Sequence, residues 1–215
     1  MKPIKRLGAI GDIHAQDKLL HKTLQFLKNQ ALDVIVSVGD IADGSGDVNL
    51  CCDMLCDTKV ITVAGNHDIW LLCNQMRGIP EATQLSELSK SSRFFLGLLP
   101  KTRQLKTVAG LMLLCHGLGE NDMECLMPSD YGYALEQNIE LQRLIRENRY
   151  RFIINGHTHF KMVRQVGQLR IINAGTLKWA DGSGFAVVDF EKGYVQFYEF
   201  YHQGYSIEKT EYVSW

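Results

Sequence analysis

The sequence has no apolar run near the roughly 20 residues that span a bilayer, no Cys-x-x-Cys pair and almost no net charge. The first absence leaves no candidate transmembrane helix. The basic start, Met1 to Leu7, leads into a short strand-like stretch and a Gly-Asp turn instead of a signal-peptide core, so an unexported, cytoplasmic protein is expected. The six cysteines, Cys51, Cys52, Cys56, Cys73, Cys115 and Cys125, fall in apolar or helix-like surroundings at a density too low for a disulfide scaffold. They are expected to be reduced thiols that pack as small hydrophobes, and the spacing of Cys51, Cys52 and Cys56 suits zinc poorly. A formal net charge of -1 argues against a basic surface spread over the chain for gripping nucleic acid, although a local patch would not register in the total. Gly44-Ser45-Gly46 and Gly182-Ser183-Gly184 lack the following Lys-Ser/Thr pair of a phosphate loop and read as ordinary turns.

What is present is an ordinary globular balance: 215 residues, 46% apolar and 22% charged, without a low-complexity linker. One domain over residues 1–215 with a substantial core is expected. Arg6 to Ile10, Asp33 to Val38 and Lys59 to Val63 are strand-like runs, each ended by a glycine-containing turn. Helical spacing follows them at Lys18 to Lys28, at Val48 to Cys56, and at Trp70 to Met76 with Glu81 to Lys90. Repeated strand, loop and helix units predict parallel strands in one sheet. Thr102 to Val108 and Leu111 to Cys115 form a predicted hairpin about Ala109-Gly110. An irregular loop is expected over Gly117 to Tyr133, and one amphipathic helix over Tyr133 to Arg149, with Leu135, Ile139, Leu141, Leu144 and Ile145 on one side. Strand-like pieces follow at Arg151 to Ile154, Met162 to Val166, Leu169 to Ile172, Phe185 to Phe190 and Tyr194 to Phe200.

Ligands of open sheets bind outside the carboxyl ends of the strands. At those ends the sequence places Asp12-Ile13-His14, Asp40, Asn66-His67-Asp68, His116 and His157-Thr158-His159. Five of the seven histidines fall in this set, and only His21 and His202 do not. Any one of these residues alone is commonly a cap or a packing residue. Several polar side chains gathered in one cleft would each carry a desolvation cost that metal binding removes. Imidazole and carboxylate suit manganese, iron, zinc or nickel, and the lack of thiolates argues against a structural zinc knot. Seven candidate ligands exceed the needs of one ion, whereas two ions about 3.5–4 Å apart would use them all.

Gly11-Asp12-Ile13-His14, Gly39-Asp40, Gly65-Asn66-His67-Asp68, Cys115-His116-Gly117 and Gly156-His157-Thr158-His159 resemble, in order, the five blocks of the calcineurin-like metallophosphoesterase superfamily. The resemblance implies a four-layer αββα sandwich: two mixed sheets flanked by helices, with a dinuclear site at the strand ends. Carried over, it gives Asp12, His14 and His159 to one divalent metal and Asn66, His116 and His157 to the other, with Asp40 bridging. His67 would stand over the substrate as general acid, while a hydroxide held between the ions attacks phosphorus. Asp43 is the first choice for orienting His67 and Asp68 the second. The superfamily's protein phosphatases carry an arginine after that aspartate, where this chain has Gly44.

The resemblance thus implies hydrolysis of a phosphodiester or phosphomonoester; a phosphodiesterase acting on nucleotide-like or small-molecule esters is favoured, because the chain resembles the compact members of the superfamily and lacks that arginine. Asn66 and His67 would contact substrate, and Tyr131 and Tyr133 are further candidates for the cleft wall. Asn173-Ala174-Gly175-Thr176 is similar to an Asn-Pro-Gly-Ser turn near the site in small phosphodiesterase-like members and is read as site support. Trp70 and Trp179 read as packed aromatics. A serine/threonine protein phosphatase, or a protein-binding scaffold like the retromer subunit of this fold, are the alternatives. A nuclease fits less well, since only about 55 residues follow His159.

Overall fold

The computed structural model describes residues 2–202 and 206–215. The chain opens with β1 (Arg6–Ile10), α1 (Asp17–Lys28), β2 (Val34–Ser37), α2 (Val48–Asp57), β3 (Ile61–Thr62) and α3 (Asn66–Leu72). After a 3-10 turn at Leu85–Glu87 come α4 (Lys90–Gly97) and the hairpin β4 (Thr102–Thr107) and β5 (Gly110–Cys115). The short α5 (Tyr133–Gln137) and α6 (Ile139–Glu147) precede β6 (Phe152–Asn155), β7 (Met162–Val166) and β8 (Leu169–Asn173). A 3-10 turn at Trp179–Asp181 leads to β9 (Gly184–Asp189), β10 (Tyr194–Tyr201) and β11 (Ser206–Ser214).

Among the described residues these strands form a six-stranded sheet, β11-β10-β9-β1-β2-β3, and a five-stranded sheet, β4-β5-β6-β8-β7. Both are mixed. β1, β2 and β3 run parallel and β5, β6 and β8 run parallel, while the remaining pairings are antiparallel.

Alternation along the strands makes the layers, because successive side chains leave opposite faces. Leu7 and Ala9 of β1 meet Met112 and Leu114 of β5 and Phe152 and Ile154 of β6 in a core between the sheets. Ile10 points the other way, into a core with Leu20 and Leu24 of α1 and Leu55 of α2. Ile153 of β6 and Ile171 of β8 pack beneath Leu141 and Leu144 of α6. Helices, sheet, sheet, helix: this is the four-layer sandwich expected from the sequence.

Several local expectations differ from the structure. α3 starts at Asn66, not Trp70, because Asp68 reaches back to the Gly65 N–H at 3.0 Å and caps the first turn. The Glu81 to Lys90 helix is only a 3-10 turn; Ser89 Oγ accepts the Ser92 N–H at 3.0 Å and starts α4 instead. The single helix over Tyr133 to Arg149 is broken at Asn138, which has an extended backbone and caps α6 through the Leu141 N–H at 2.8 Å. Ile139, expected on the apolar side, is 76% exposed. β11 was not foreseen. The described cysteines are free thiols, with Cys51, Cys52 and Cys115 buried but Cys56 and Cys73 exposed.

Candidate metal centre

The parallel strands of both sheets deliver their carboxyl ends to one place. β1 brings Asp12 and His14, β2 Asp40 and Asp43, and β3 Asn66 and His67 at the start of α3. β5 brings His116, and β6 brings His157 and His159. Asp12, His14, Asp40, Asn66 and His116 are buried. His14, Asp40, Asp43, His157 and His159 all have φ between 45° and 68°. Left-handed backbone costs a non-glycine residue on the order of 1–2 kcal/mol, and such strain gathers where a fold holds side chains for function. Gly156 permits a close approach, since a Cβ there would collide with the Asp12 carboxylate.

The side chains form two groups. In the first, His14 Nε2 and His159 Nε2 lie 3.0 Å apart, and His159 Nε2 lies 3.2 Å from Asp12 Oδ2. In the second, Asn66 Oδ1 lies 2.8 Å from His116 Nε2 and 3.0 Å from His157 Nδ1. Asp40 Oδ2 stands between the groups, 3.9 Å from His14 Nε2 and 3.3 Å from His116 Nε2. Asp12 also faces both, with Oδ1 3.7 Å from His116 Nδ1.

These donor atoms fit a cation better than each other. His14 Nδ1–H donates to the Asp43 carbonyl at 2.9 Å, and His159 Nδ1–H donates to the Asp181 carboxylate at 2.7 Å. When neutral, each ring then presents a lone pair at Nε2, and two lone pairs 3.0 Å apart repel unless both bind one cation. His116 Nδ1–H donates to the Val38 carbonyl at 2.9 Å, which turns its Nε2 toward Asn66 Oδ1 and Asp40. Both oxygens of the fully buried Asp12 lack a hydrogen bond. A buried carboxylate without a donor is costly, and a cation removes that cost. Asp12, His14 and His159, and likewise Asp12, Asp40 and His116, place possible ligand atoms within 4.8 Å of one another.

Electrostatics follow from the crowding. Burial lowers the pKa of His14, and Asp40 and Asp12 oppose it only in part. Burial also works against a charged His116, but Asp40 and Asp12 overcome it and raise this group to about 10. Burial pushes the Asp40 carboxyl up, yet His116, His14 and His67 around it hold it well below the usual carboxylate range.

The sequence profile described as the calcineurin-like phosphoesterase superfamily domain matches residues 6–193. The chain belongs to this superfamily. A curated relative, the uncharacterized protein MJ0912 of Methanocaldococcus jannaschii, is 32% identical over 66 residues, 31% of this chain and 27% of the relative's length. The protein PH1004 of Pyrococcus horikoshii OT3 has a similar structure, at TM-score 0.71 and 17% identity over 90% of this chain and 87% of that one. A metallophosphoesterase from Sphaerobacter thermophilus superposes at TM-score 0.65 and 18% identity, covering 92% and 88% of the two chains. Vacuolar protein sorting 29 from Cryptosporidium parvum does so at TM-score 0.60 and 18% identity, covering 99% and 100%. At these identities the structures establish the calcineurin-like phosphoesterase fold.

Beside the two groups, His67 Nδ1 lies 2.7 Å from Asp43 Oδ2, and its Nε2 faces the centre, 4.0 Å from Asp40 Oδ2. The His67 ring stands edge-on to His14 and lies 4.8 Å from the ring of Trp70, so Trp70 borders the site. Burial would lower the His67 pKa, but the hydrogen bond to Asp43 and the charge of Asp40 raise it above the ordinary histidine value. Asp68, the second choice for orienting His67, is occupied elsewhere: its oxygens accept the N–H groups of Ile41, Ala42 and Gly65 at 2.8, 3.1 and 3.0 Å. It ties the Asp40 loop to the start of α3, and burial beside Asp40 pushes its carboxyl up to about 7.

Tyr131 and Tyr133 are 71% and 74% exposed. Tyr131 lies under the Arg164 guanidinium at 4.8 Å, and among the described residues no hydrogen bond or ring contact joins either tyrosine to the centre. The Asn173 turn does support the site: Asn173 Nδ2 donates to the Gly156 carbonyl at 2.6 Å and to Thr158 Oγ1 at 3.0 Å.

Sequence reasoning missed two residues. Asp181 holds His159 from the 3-10 turn after β8. Arg77 lies beyond α3 and grips Asp43 with both terminal nitrogens, at 2.7 and 3.1 Å. Neither follows from a strand-end motif; each depends on a loop that returns to the site. Gly44 cannot carry the arginine absent from its position, since a Cβ there would run into the His14 carbonyl.

Proposed function

We propose that the protein is a dinuclear metal-dependent phosphoesterase of one domain, with phosphodiesters of nucleotide-like or other small molecules as its substrates. The observation that carries the reading is the convergence of possible ligand atoms on both sides of Asp40: the facing His14 and His159 nitrogens, and Asn66 Oδ1 between His116 and His157. Asp12, His14 and His159 would hold one divalent ion and Asn66, His116 and His157 the other, with Asp40 between them. When bound, such ions supply Lewis acidity and lower the pKa of water.

The chain's own residues do the rest. His67 keeps Nδ1 on Asp43 and presents Nε2 to the centre, where its raised pKa suits a proton donor to the leaving oxygen at neutral pH. Gly44 offers no cation to a phosphate, and the Arg77 guanidinium is committed to Asp43. A site without that second positive clamp favours a singly charged diester over a doubly charged monoester.

Protein loaded with manganese should hydrolyse an aryl phosphodiester faster than the corresponding monoester. His67→Ala should lower the rate on an alkyl ester by about 10²–10⁴-fold while the metal content stays unchanged. Failure of manganese, zinc, iron and nickel alike to support hydrolysis of either ester would refute the enzyme reading and favour a scaffold; monoester preference would favour a phosphatase.

A further inference from the structure

Residues 73–76 and 78 are exposed, but the side chain of Arg77 between them is only 10% exposed and turns inward. The backbone around it is bent to allow this, with Asn74 at φ 53°, Met76 at 52° and Glu81 at 55°. The guanidinium donates from Nη1 to Asp43 Oδ1 at 2.7 Å and to the Thr83 carbonyl at 2.8 Å. It donates from Nη2 to Asp43 Oδ2 at 3.1 Å and from Nε to the Gln75 carbonyl at 2.6 Å. Four of its five N–H groups are therefore used, and it is not free to bind a phosphate.

Asp43 is equally committed. Oδ1 accepts from Arg77 Nη1 and from the Thr83 N–H at 2.9 Å, and Oδ2 accepts from Arg77 Nη2 and His67 Nδ1. A carboxylate with a single histidine partner can turn about its Cβ–Cγ bond. The bidentate fork fixes the plane of this one and leaves Oδ2 aimed at His67.

We propose that Arg77 is a positioning residue for the proton donor, acting through the chain Arg77, Asp43, His67 to hold His67 Nε2 over the reacting centre. The inference rests on the phosphoesterase reading above. It explains why an arginine outside the five sequence blocks is buried at the site: in place of a phosphate clamp, the loop after α3 supplies a brace for the histidine. A leaving group that needs protonation depends on this brace, and one that departs as a stable anion does not.

The test compares wild type, Arg77→Gln, Arg77→Lys and Asp43→Asn on a methyl and a p-nitrophenyl phosphodiester. For the methyl ester, Arg77→Gln should lower kcat by about 10- to 100-fold, the scale set by misplacing a reacting group, with KM nearly unchanged. For the p-nitrophenyl ester the loss should be less than about threefold, since a good leaving group gains little from general acid catalysis. Lysine keeps the charge but not the fork and should rescue the methyl-ester rate only in part. Adding Asp43→Asn to Arg77→Gln should cost little more than Asp43→Asn alone. In zinc-loaded protein, the downfield His67 Nδ1–H resonance should broaden or shift in Arg77→Gln while metal stoichiometry stays the same. Equal losses on both esters, a change confined to KM, an unmoved Nδ1–H resonance or loss of metal would each overturn the inference. A wild type inactive on both esters would instead overturn the functional reading on which it rests.

Discussion

His116 and Asp40 sit 3.3 Å apart in the buried centre of the molecule, and each sets the charge of the other. With its pKa raised to about 10, His116 carries a proton at pH 7 when no metal is bound. A metal at its Nε2 needs the lone pair and must displace that proton. Metal affinity should therefore rise with pH over the range below about 10, and uptake at pH 7 should release protons. Calorimetric titration in buffers of different ionisation enthalpy measures this directly; uptake without proton release would mean that His116 is already neutral. At this scale the chemistry-bearing residues were legible because each follows a strand within a short block that carries a glycine. Arg77 and Asp181 were not. Arg77 is 34 positions from Asp43 and Asp181 is 22 from His159, so only folding brings each pair together.

Elements were read well where one period ran unbroken and less well where a single side chain ended it. β1, β2, β5 and β6 carry apolar runs that close on glycine or polar turns. β11 carries Glu208, Lys209, Thr210 and Glu211 without an apolar alternation, because it is an edge strand paired with β10 alone. The spacing of Leu135, Leu141 and Leu144 suggests a helix through Asn138, and nothing in that periodicity reveals that Asn138 is a cap. Its side chain accepts the Leu141 N–H at 2.8 Å and donates to the Cys125 carbonyl at 2.8 Å, fastening the start of α6 to the loop before it. Asn138→Ala should destabilise the protein by about 1 kcal/mol, the usual value of an N-cap. α6 packs on the outer face of the second sheet through Leu141 and Leu144, among none of the strand-end ligands, so metal binding should be unaffected. Denaturant unfolding with parallel metal titration would show both; weakened metal binding would mean that α6 steadies the centre from behind.

Across the whole molecule, the two sheets meet through an apolar core and again at the candidate centre. Asp12, His14, Asp40 and Asn66 come from the six-stranded sheet, while His116, His157 and His159 come from the five-stranded one. Each proposed ion takes ligands from both sheets: His159 joins Asp12 and His14 in one group, and His116 and His157 join Asn66 in the other. The family resemblance implied the two-sheet class, but the order of strands was not legible, since pairing depends on which apolar faces meet. Bound ions would join the sheets at a point where the chain gathers carboxylates and imidazoles from both. Unfolding separates the sheets and scatters the ligands, so the ions stabilise only the folded state. At a free metal concentration 100 times the dissociation constant, this linkage contributes about 2.7 kcal/mol per site. For a chain of this size that raises Tm by roughly 5–10 °C per site. Calorimetry with manganese and again with excess chelator should show a rise of that order, smaller in Asp12→Asn and His116→Asn because each removes a ligand from the inter-sheet connection. A Tm independent of metal at saturating concentrations would mean that the sheets are held by their core alone and that the strand-end cluster binds no ion in the folded protein.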